Sequence, residues 1–182
     1  MIVEFAITNF RSIKERQVFS MLPSDRVKAD NRKNALFPIL SYKDLNLQTV
    51  AGIWGRNSAG KSNLVKAFRA IEWLVLQSHR FTRGDTLQAN ENFIFDINTQ
   101  NAATLFEIDF IAKDKKRYFY IIEFNKDEIL REELHYYVVS HLERTNTRKL
   151  FVRRNGEAVS FGEDFKGSHK IRVLPNFLFL SK

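Results

Sequence analysis

A run of eight residues from Gly55 to Ser62 restricts the fold more than any other feature of this chain. The residues are Gly-Arg-Asn-Ser-Ala-Gly-Lys-Ser, which satisfy the pattern G-x-x-x-x-G-K-S in full. Glycine permits backbone angles and close approach that a β-carbon would forbid, so consecutive N–H groups can point inward at phosphate groups. A helix beginning at this point adds its free N–H groups and the positive end of its dipole. The motif therefore predicts a phosphate loop between a strand and a helix.

The residue types of the phosphate loop (residues 55–62) predict which ligands it holds. We expect Lys61 to reach the β- and γ-phosphates of a nucleoside triphosphate and to act catalytically by neutralising charge on the leaving group. Ser62 is expected to give magnesium a hydroxyl ligand, because Mg²⁺ prefers oxygen in near-octahedral geometry. The other predicted nucleotide-binding positions of this segment are Gly55, Arg56, Asn57, Ser58, Ala59, Gly60 and Asn63.

Hydrophobic periodicity places this loop between two elements. The short apolar run Thr49–Trp54 is typical of a strand buried on both faces. Apolar residues at helical spacing predict a helix over Lys61–Ser78. Alternation over Ile2–Thr8 predicts a strand, against which Gln17–Leu22 could pair, whereas the basic, irregular stretch Pro23–Lys43 is predicted to be a loop or an insertion.

Beyond Arg80 the pattern predicts antiparallel β-structure. The predicted strands contain Phe106–Phe110, Tyr118–Phe124 and Leu134–Val138, with a turn at Lys113–Lys116, and a hairpin joins Leu150–Val152 to Val159–Phe161 through Asn155-Gly156. The alternating aromatics Tyr118 and Tyr120 favour a packed strand face over base stacking.

Charged residues outside the loop leave more than one interpretation open. The net charge of +8 and the pI near 9.8 fit a nucleic-acid partner or simply a basic surface. The basic region Arg144–Arg154 fits a phosphate-backbone contact or a solvated hairpin equally well. The pair Glu132-Glu133 is interpreted as exposed charge at the start of a strand.

Composition narrows the class of protein. The chain has no cysteine, which excludes disulfides, thiol catalysis and thiolate metal sites. No apolar run approaches the roughly 20 residues that a membrane span needs. An acid at Glu4 and the lack of an apolar core argue against a signal peptide. We therefore expect a cytoplasmic protein with no membrane partner.

Two segments resemble one group of ATPases. Residues Thr8–Ser12 (Thr-Asn-Phe-Arg-Ser) resemble the "N-F-[RK]-S" element that opens the heads of ABC-type chromosome and DNA-repair ATPases. Residues Val50–Leu64 resemble their "G-x-N-x-[SA]-G-K-S-[NS]-L" loop. The chain is similar to bacterial ABC-like "AAA family" ATPases of the overcoming-lysogenisation-defect and abortive-infection type. The likeness is good over residues 1–80 and looser through Asn92–Asp96, Thr104–Ile108 and Arg131–Leu134.

This resemblance implies a fold and further site residues. It implies an α/β P-loop NTPase: the N-terminal lobe of an ABC-type ATPase head, with a mixed sheet and an antiparallel β subdomain. Residues 1–80 would form the nucleotide-binding core and residues 81–182 a mainly antiparallel β lobe. Arg11 would lie beside the phosphates or the base, with Ser12 and Asn9 helping to hold that segment. Asn57 matches the family's loop asparagine, whereas Arg56 departs from the commoner proline or alanine.

The resemblance also implies ATP with magnesium as ligands and a function. In such proteins two heads close on two ATP molecules, so we expect a homodimer of heads in the full-length protein. Hydrolysis would then drive a switch in phage defence or DNA maintenance through an effector protein or a nuclease, with DNA as a further candidate partner. The alternative is a nucleic-acid-binding module in which nucleotide is structural.

Several catalytic elements of these heads are missing from the sequence. No run of four apolar residues followed by Asp-Glu could act as Walker B, and no "L-S-G-G"-like signature occurs. We therefore expect the N-terminal portion of a longer head, which binds phosphates but lacks a catalytic base and has little or no ATPase activity alone. The apolar final segment Asn176–Leu180 favours the same interpretation. A magnesium-binding glutamine remains open among Gln77, Gln88 and Gln100.

Overall fold

The structure is a computed structural model that describes residues 1–24, 36–38, 45–139, 145–155, 157–166 and 173–181. Its strands are β1 (Ile2–Thr8), β2 (Gln17–Ser20), β3 (Leu36–Pro38), β4 (Asn46–Gln48), β5 (Thr104–Ile111), β6 (Arg117–Phe124), β7 (Ile129–Val139), β8 (Thr145–Arg154) and β9 (Ser160–Phe161). The helices are α1 (Lys61–Gln77) and α2 (Ile97–Gln100), with 3₁₀ turns at Ser78–Arg80 and Phe179–Ser181. In these ranges no helix is long and apolar enough to cross a membrane.

One seven-stranded sheet has the order β2-β1-β5-β6-β7-β8-β9. Strand β1 pairs with β5, Phe5 opposite Ile108, so the sheet joins strands from both sides of the phosphate loop in sequence. The predicted strands from Ile2 to Phe161 are confirmed, apart from the segment before the loop. All of the described strand pairs are antiparallel, so the parallel pairing that a mixed sheet requires is not found among them.

Helix α1 packs on one face of this sheet. Its buried residues Ala67, Ile71 and Leu74 recur at helical spacing, which confirms the predicted helix. The ring of Phe68 lies 4.5 Å from that of Phe5 on β1. This apolar contact fixes the start of α1, and with it the phosphate loop, relative to the sheet.

The segment before the loop differs from the expectation. Residues 50–56 form no strand, and Val50 and Trp54 are 79% and 93% exposed. Within the described part of the chain no strand pairs with this run, so an extended backbone there would gain no ladder hydrogen bonds. A strand-like composition is therefore not sufficient to form a strand without a pairing partner.

The stretch Pro23–Lys43, which was predicted to be a loop, contains a short β-strand. Leu36–Pro38 pairs with Asn46–Gln48 as a two-stranded ladder. The loop prediction is therefore wrong at those three residues, whereas 25–35 and 39–43 lie outside the described residues. The glycine of the predicted Asn155-Gly156 turn lies outside them as well, although β8 and β9 pair as expected.

Two charged residues interpreted as exposed are buried. Glu132 is 0% exposed; its carboxylate accepts hydrogen bonds from the Tyr120 hydroxyl at 2.7 Å and from the Phe179 backbone N–H at 2.7 Å. Arg153, assigned above to a basic region, is also buried and lies 3.5 Å from Glu132. The interpretation of Glu132 as exposed charge was wrong, because the sheet faces and the segment 174–181 close over it.

Glu133 is buried as well, so its interpretation as exposed charge was also wrong. In the basic region, by contrast, Arg148 and Arg154 remain largely exposed. Arg144 lies outside the described residues. The packed aromatic face is confirmed at Tyr120, which is 2% exposed.

Candidate functional site at the phosphate loop

The phosphate loop is a tight turn with two residues in the left-handed region. Ser58 and Gly60 adopt left-handed conformations, with φ of 62° and 85°. The Ala59 N–H donates to the Arg56 carbonyl oxygen at 3.2 Å, which closes the turn. Residues 55–59 are all exposed, so a ligand can reach the loop from solvent.

Helix α1 begins directly at the loop. Gly60 is its N-cap, and no side chain caps the first turn. The uncapped N–H groups and the positive end of the helix dipole therefore face the loop, an arrangement that favours an anion. The hydroxyl-bearing Ser62 is exposed in this first turn, where a bound metal could reach it.

The Lys61 side chain lies back over the loop. Its Nζ donates to the carbonyl oxygens of Gly55 and Arg56, both at 2.7 Å. This ammonium group therefore sits among the loop carbonyls, where incoming phosphate oxygens could replace them as partners. The arrangement keeps a positive charge over the loop.

The structure brings the opening element (Thr8–Ser12) close to the phosphate loop. Arg11 Nε donates to Asn63 Oδ1 at 3.0 Å, and Asn63 Nδ2 donates to Ser12 Oγ at 2.6 Å. Arg11 also forms an ion pair with Glu91. Thus the consecutive residues Arg11 and Ser12 are neighbours of Asn63, which is distant from them in sequence, at the start of α1. Glu91 was not predicted, because only tertiary contact connects it to Arg11.

A buried asparagine holds this element in position. Asn9, at φ 52°, donates from Nδ2 to the carbonyl oxygens of Thr99, Ala102 and Ala103 at 2.9 to 3.2 Å. Its Oδ1 accepts from the Phe93 backbone N–H at 3.0 Å. One side chain thereby fixes the segment 90–103 against the opening element, a role that the sequence motif suggested only in general terms.

A pocket of about 580 Å³ adjoins the loop. Arg11, Ser12 and Asn63 line one side, and the segment 90–100 lines the other. Of this second wall, the sequence analysis considered only Gln100, as one possible magnesium ligand. The looser family likeness over Asn92–Asp96 gave that segment no role in the site.

The glutamines considered for magnesium lie in different places. Gln77 ends α1, which has 17 residues and therefore spans roughly 25 Å, so it is remote from the loop. Gln100 lines the pocket beside Arg11, and Gln88 lines a separate groove that also contains Arg11. The side chains of Arg56 and Asn57 are exposed and make no hydrogen bond with the described residues. Asn57 is not among the residues that line the pocket beside Arg11.

Comparison with known proteins agrees with this geometry. Residues 50–173, more than half of the chain, match the model of a family described as "AAA domain, putative AbiEii toxin, Type IV TA system". Neither the curated proteins nor the solved structures contain a significant match. The matched range contains the whole phosphate loop, α1 and most of the antiparallel sheet. The chain therefore belongs to this AAA domain family, whose members have the P-loop NTPase fold and bind nucleotide.

Proposed function

We propose that this chain binds ATP with Mg²⁺ and forms the N-terminal portion of an ABC-type ATPase head. The observation that carries the proposal is the open phosphate loop at the uncapped start of α1, with the Lys61 ammonium group lying over it. Lys61 binds the β- and γ-phosphates, and Ser62 gives magnesium its hydroxyl ligand. Arg11 approaches the nucleotide from the other side.

The proposed head works as a nucleotide-driven switch. Residues 1–80 form the nucleotide-binding core, and residues 81–182 form the antiparallel lobe. Since the sequence contains neither Walker B nor signature, the catalytic base and the second half of each site come from other parts of a homodimer of heads. The switch acts in the cytoplasm in phage defence or DNA maintenance, through an effector protein or a nuclease. The description of the matched family, a putative toxin of a toxin–antitoxin system, supports the defence role.

A second candidate function is binding of nucleic acid, with nucleotide as a structural ligand. A groove of about 400 Å³ between α1 and the segment 88–91 is lined by Arg11, Lys66 and Arg69, with Glu91 as its one acidic lining residue. Neither Lys66 nor Arg69 has an ion-pair partner within the described ranges, so both cations are available for phosphate contacts. This candidate predicts DNA binding that persists without ATP and weakens steeply with salt.

Calorimetry of ATP binding tests the first proposal. ATP is titrated into the wild-type chain, Lys61→Ala and the control Lys66→Ala, each with and without Mg²⁺. We expect Mg²⁺-dependent binding by the wild type and by the control, and its loss in Lys61→Ala, because only Lys61 lies at the loop. Equal binding by all three proteins would refute the assignment of the site. No binding by a folded wild type would mean that this chain alone does not form a nucleotide site.

A further inference from the structure

We propose that the pocket beside the phosphate loop holds the adenine base, which stacks on Phe95 and meets the side-chain amides of Asn90 and Gln100 at its edge. This proposal deepens the proposed function and rests on it. None of these three residues belongs to the phosphate-loop motif.

Phe95 is exposed to an extent that folding alone does not explain. It is 83% exposed, and its neighbour Ile94 is 63% exposed, although both are large apolar side chains. The Phe95 ring makes an edge-to-face contact with Phe93, with 5.6 Å between ring centroids. Exposing apolar area to water is unfavourable, and an exposed aromatic ring next to an anion-binding loop is suited to stacking a base.

The segment that carries Phe95 is fixed on both sides. Asn9 Oδ1 accepts from the Phe93 N–H at 3.0 Å, two residues before it. Asp96 accepts from the Asn98 N–H at 2.8 Å and pairs with Lys14 at 2.8 Å. The ring is therefore presented by a positioned loop, which lowers the entropy lost when a ligand stacks on it.

The pocket has room for a nucleoside and reaches the first turn of α1 at Asn63, the residue that follows the phosphate loop. Its volume of about 580 Å³ is within the range of roughly 300–1,000 Å³ that small-molecule sites occupy. One wall contains Arg11 and Asn63, at the first turn of α1, and the other contains Ile94 and Phe95. A nucleotide with its phosphates at the loop can therefore extend its base between these walls.

Two amide oxygens in the pocket remain available. Gln100 Nε2 donates to the Ile94 carbonyl oxygen at 2.7 Å, and Asn90 Nδ2 donates to Asn92 Oδ1 at 2.9 Å. Each nitrogen atom thus has a protein partner, whereas no hydrogen bond from the described residues reaches the side-chain oxygen of Gln100 or Asn90. Such acceptors are complementary to the exocyclic amino group of adenine.

Comparing the binding of ATP with the binding of inorganic tripolyphosphate separates the contribution of the base from that of the phosphates. Binding of each ligand is measured with Mg²⁺ for wild type, Phe95→Ala and Phe95→Tyr. The control is Ile97→Ala, which removes an apolar side chain that is 79% exposed two residues away and does not line the pocket. We expect Phe95→Ala to weaken ATP binding about tenfold, which corresponds to about 1.4 kcal/mol, and to leave tripolyphosphate binding unchanged. Phe95→Tyr and the control should bind both ligands as the wild type does.

The remaining outcomes distinguish failure of the base site from failure of the proposed function. Unchanged ATP affinity in Phe95→Ala, or an equal loss for ATP and tripolyphosphate, would overturn the base site but leave the phosphate loop in place. If neither ligand binds the wild type, the proposed function fails and the base site fails with it.

Discussion

Ser12 Oγ lies 2.8 Å from the position that a β-carbon on Gly60 would occupy. Gly60 is therefore required for two reasons, since it also has a φ of 85°. The motif predicts a glycine here because the ligand has to approach the backbone closely. The structure adds that the Ser12 hydroxyl lies too close for a β-carbon at this residue unless that hydroxyl moves.

Replacing Gly60 by alanine tests both constraints. We expect Gly60→Ala to destabilise the fold by about 1–3 kcal/mol and to weaken ATP binding, because strain and collision act at the loop. Ser12→Ala in the same background removes the colliding oxygen and leaves a β-carbon at an ordinary 3.9 Å. The double variant should recover part of the stability in urea unfolding. No recovery would show that the left-handed backbone alone causes the loss.

The ion pair between Arg11 and Glu91 gives a prediction about affinity. Glu91 pairs with the Arg11 guanidinium group and places a negative charge at the pocket wall, so in the proposed nucleotide complex it would compete with phosphate oxygens for Arg11. We expect Glu91→Gln to tighten ATP binding severalfold at low salt, and Arg11→Ala to weaken it. Titration of ATP at low and high ionic strength measures both effects. An unchanged affinity in both variants would place Arg11 outside the nucleotide contacts.

The buried pair of Arg153 and Glu132 predicts a large effect on stability. Arg153 donates to the carbonyl oxygens of Phe177 and Leu174 at 2.6 and 2.8 Å, and so binds the segment 174–181 to the sheet. We expect Arg153→Met to cost about 3–5 kcal/mol, because it leaves the carboxylate of Glu132 buried without its cation.

A double-mutant cycle separates the pair from simple packing. Arg153→Met combined with Glu132→Gln should cost clearly less than the sum of the two single changes, as measured by denaturant unfolding. Strict additivity would contradict energetic coupling between the two side chains.

Glu133 makes stability depend on acid pH. Burial raises the pKa of its carboxyl, but hydrogen bonds from Arg131 at 2.6 Å and His135 at 3.0 Å outweigh burial and hold the pKa below its ordinary value of 4.5. A carboxyl with a lowered folded-state pKa contributes stability above its unfolded pKa and loses it as pH falls through the folded pKa. Glu133 therefore stabilises the fold at neutral pH and ceases to do so in acid.

The substitution Glu133→Gln should remove this dependence. We expect lower stability than wild type at pH 7 and a difference that shrinks as pH falls from about 5 to 3. Urea unfolding midpoints at several pH values measure it, with the exposed carboxylate variant Glu157→Gln as the control. A difference that stays constant with pH would contradict the assignment.

Much of the fold could be predicted because its signals are local. The alternation of apolar residues over Ile2–Thr8 and Tyr118–Phe124 predicts strands, and helical spacing after Lys61 predicts α1, since one face of each element has to be buried. The strand prediction before the loop failed at Val50 and Trp54. A strand depends on a pairing partner, which is not a local property.

For the site, the sequence alone determined the phosphate loop, because G-x-x-x-x-G-K-S encodes its backbone and its charge within eight residues. Tertiary structure decided the rest. Glu91 beside Arg11, the pocket wall at Phe95 and the burial of Glu132 all depend on contacts between residues distant in sequence. No local pattern records such contacts, since burial and pairing are set only when the sheet and α1 pack together.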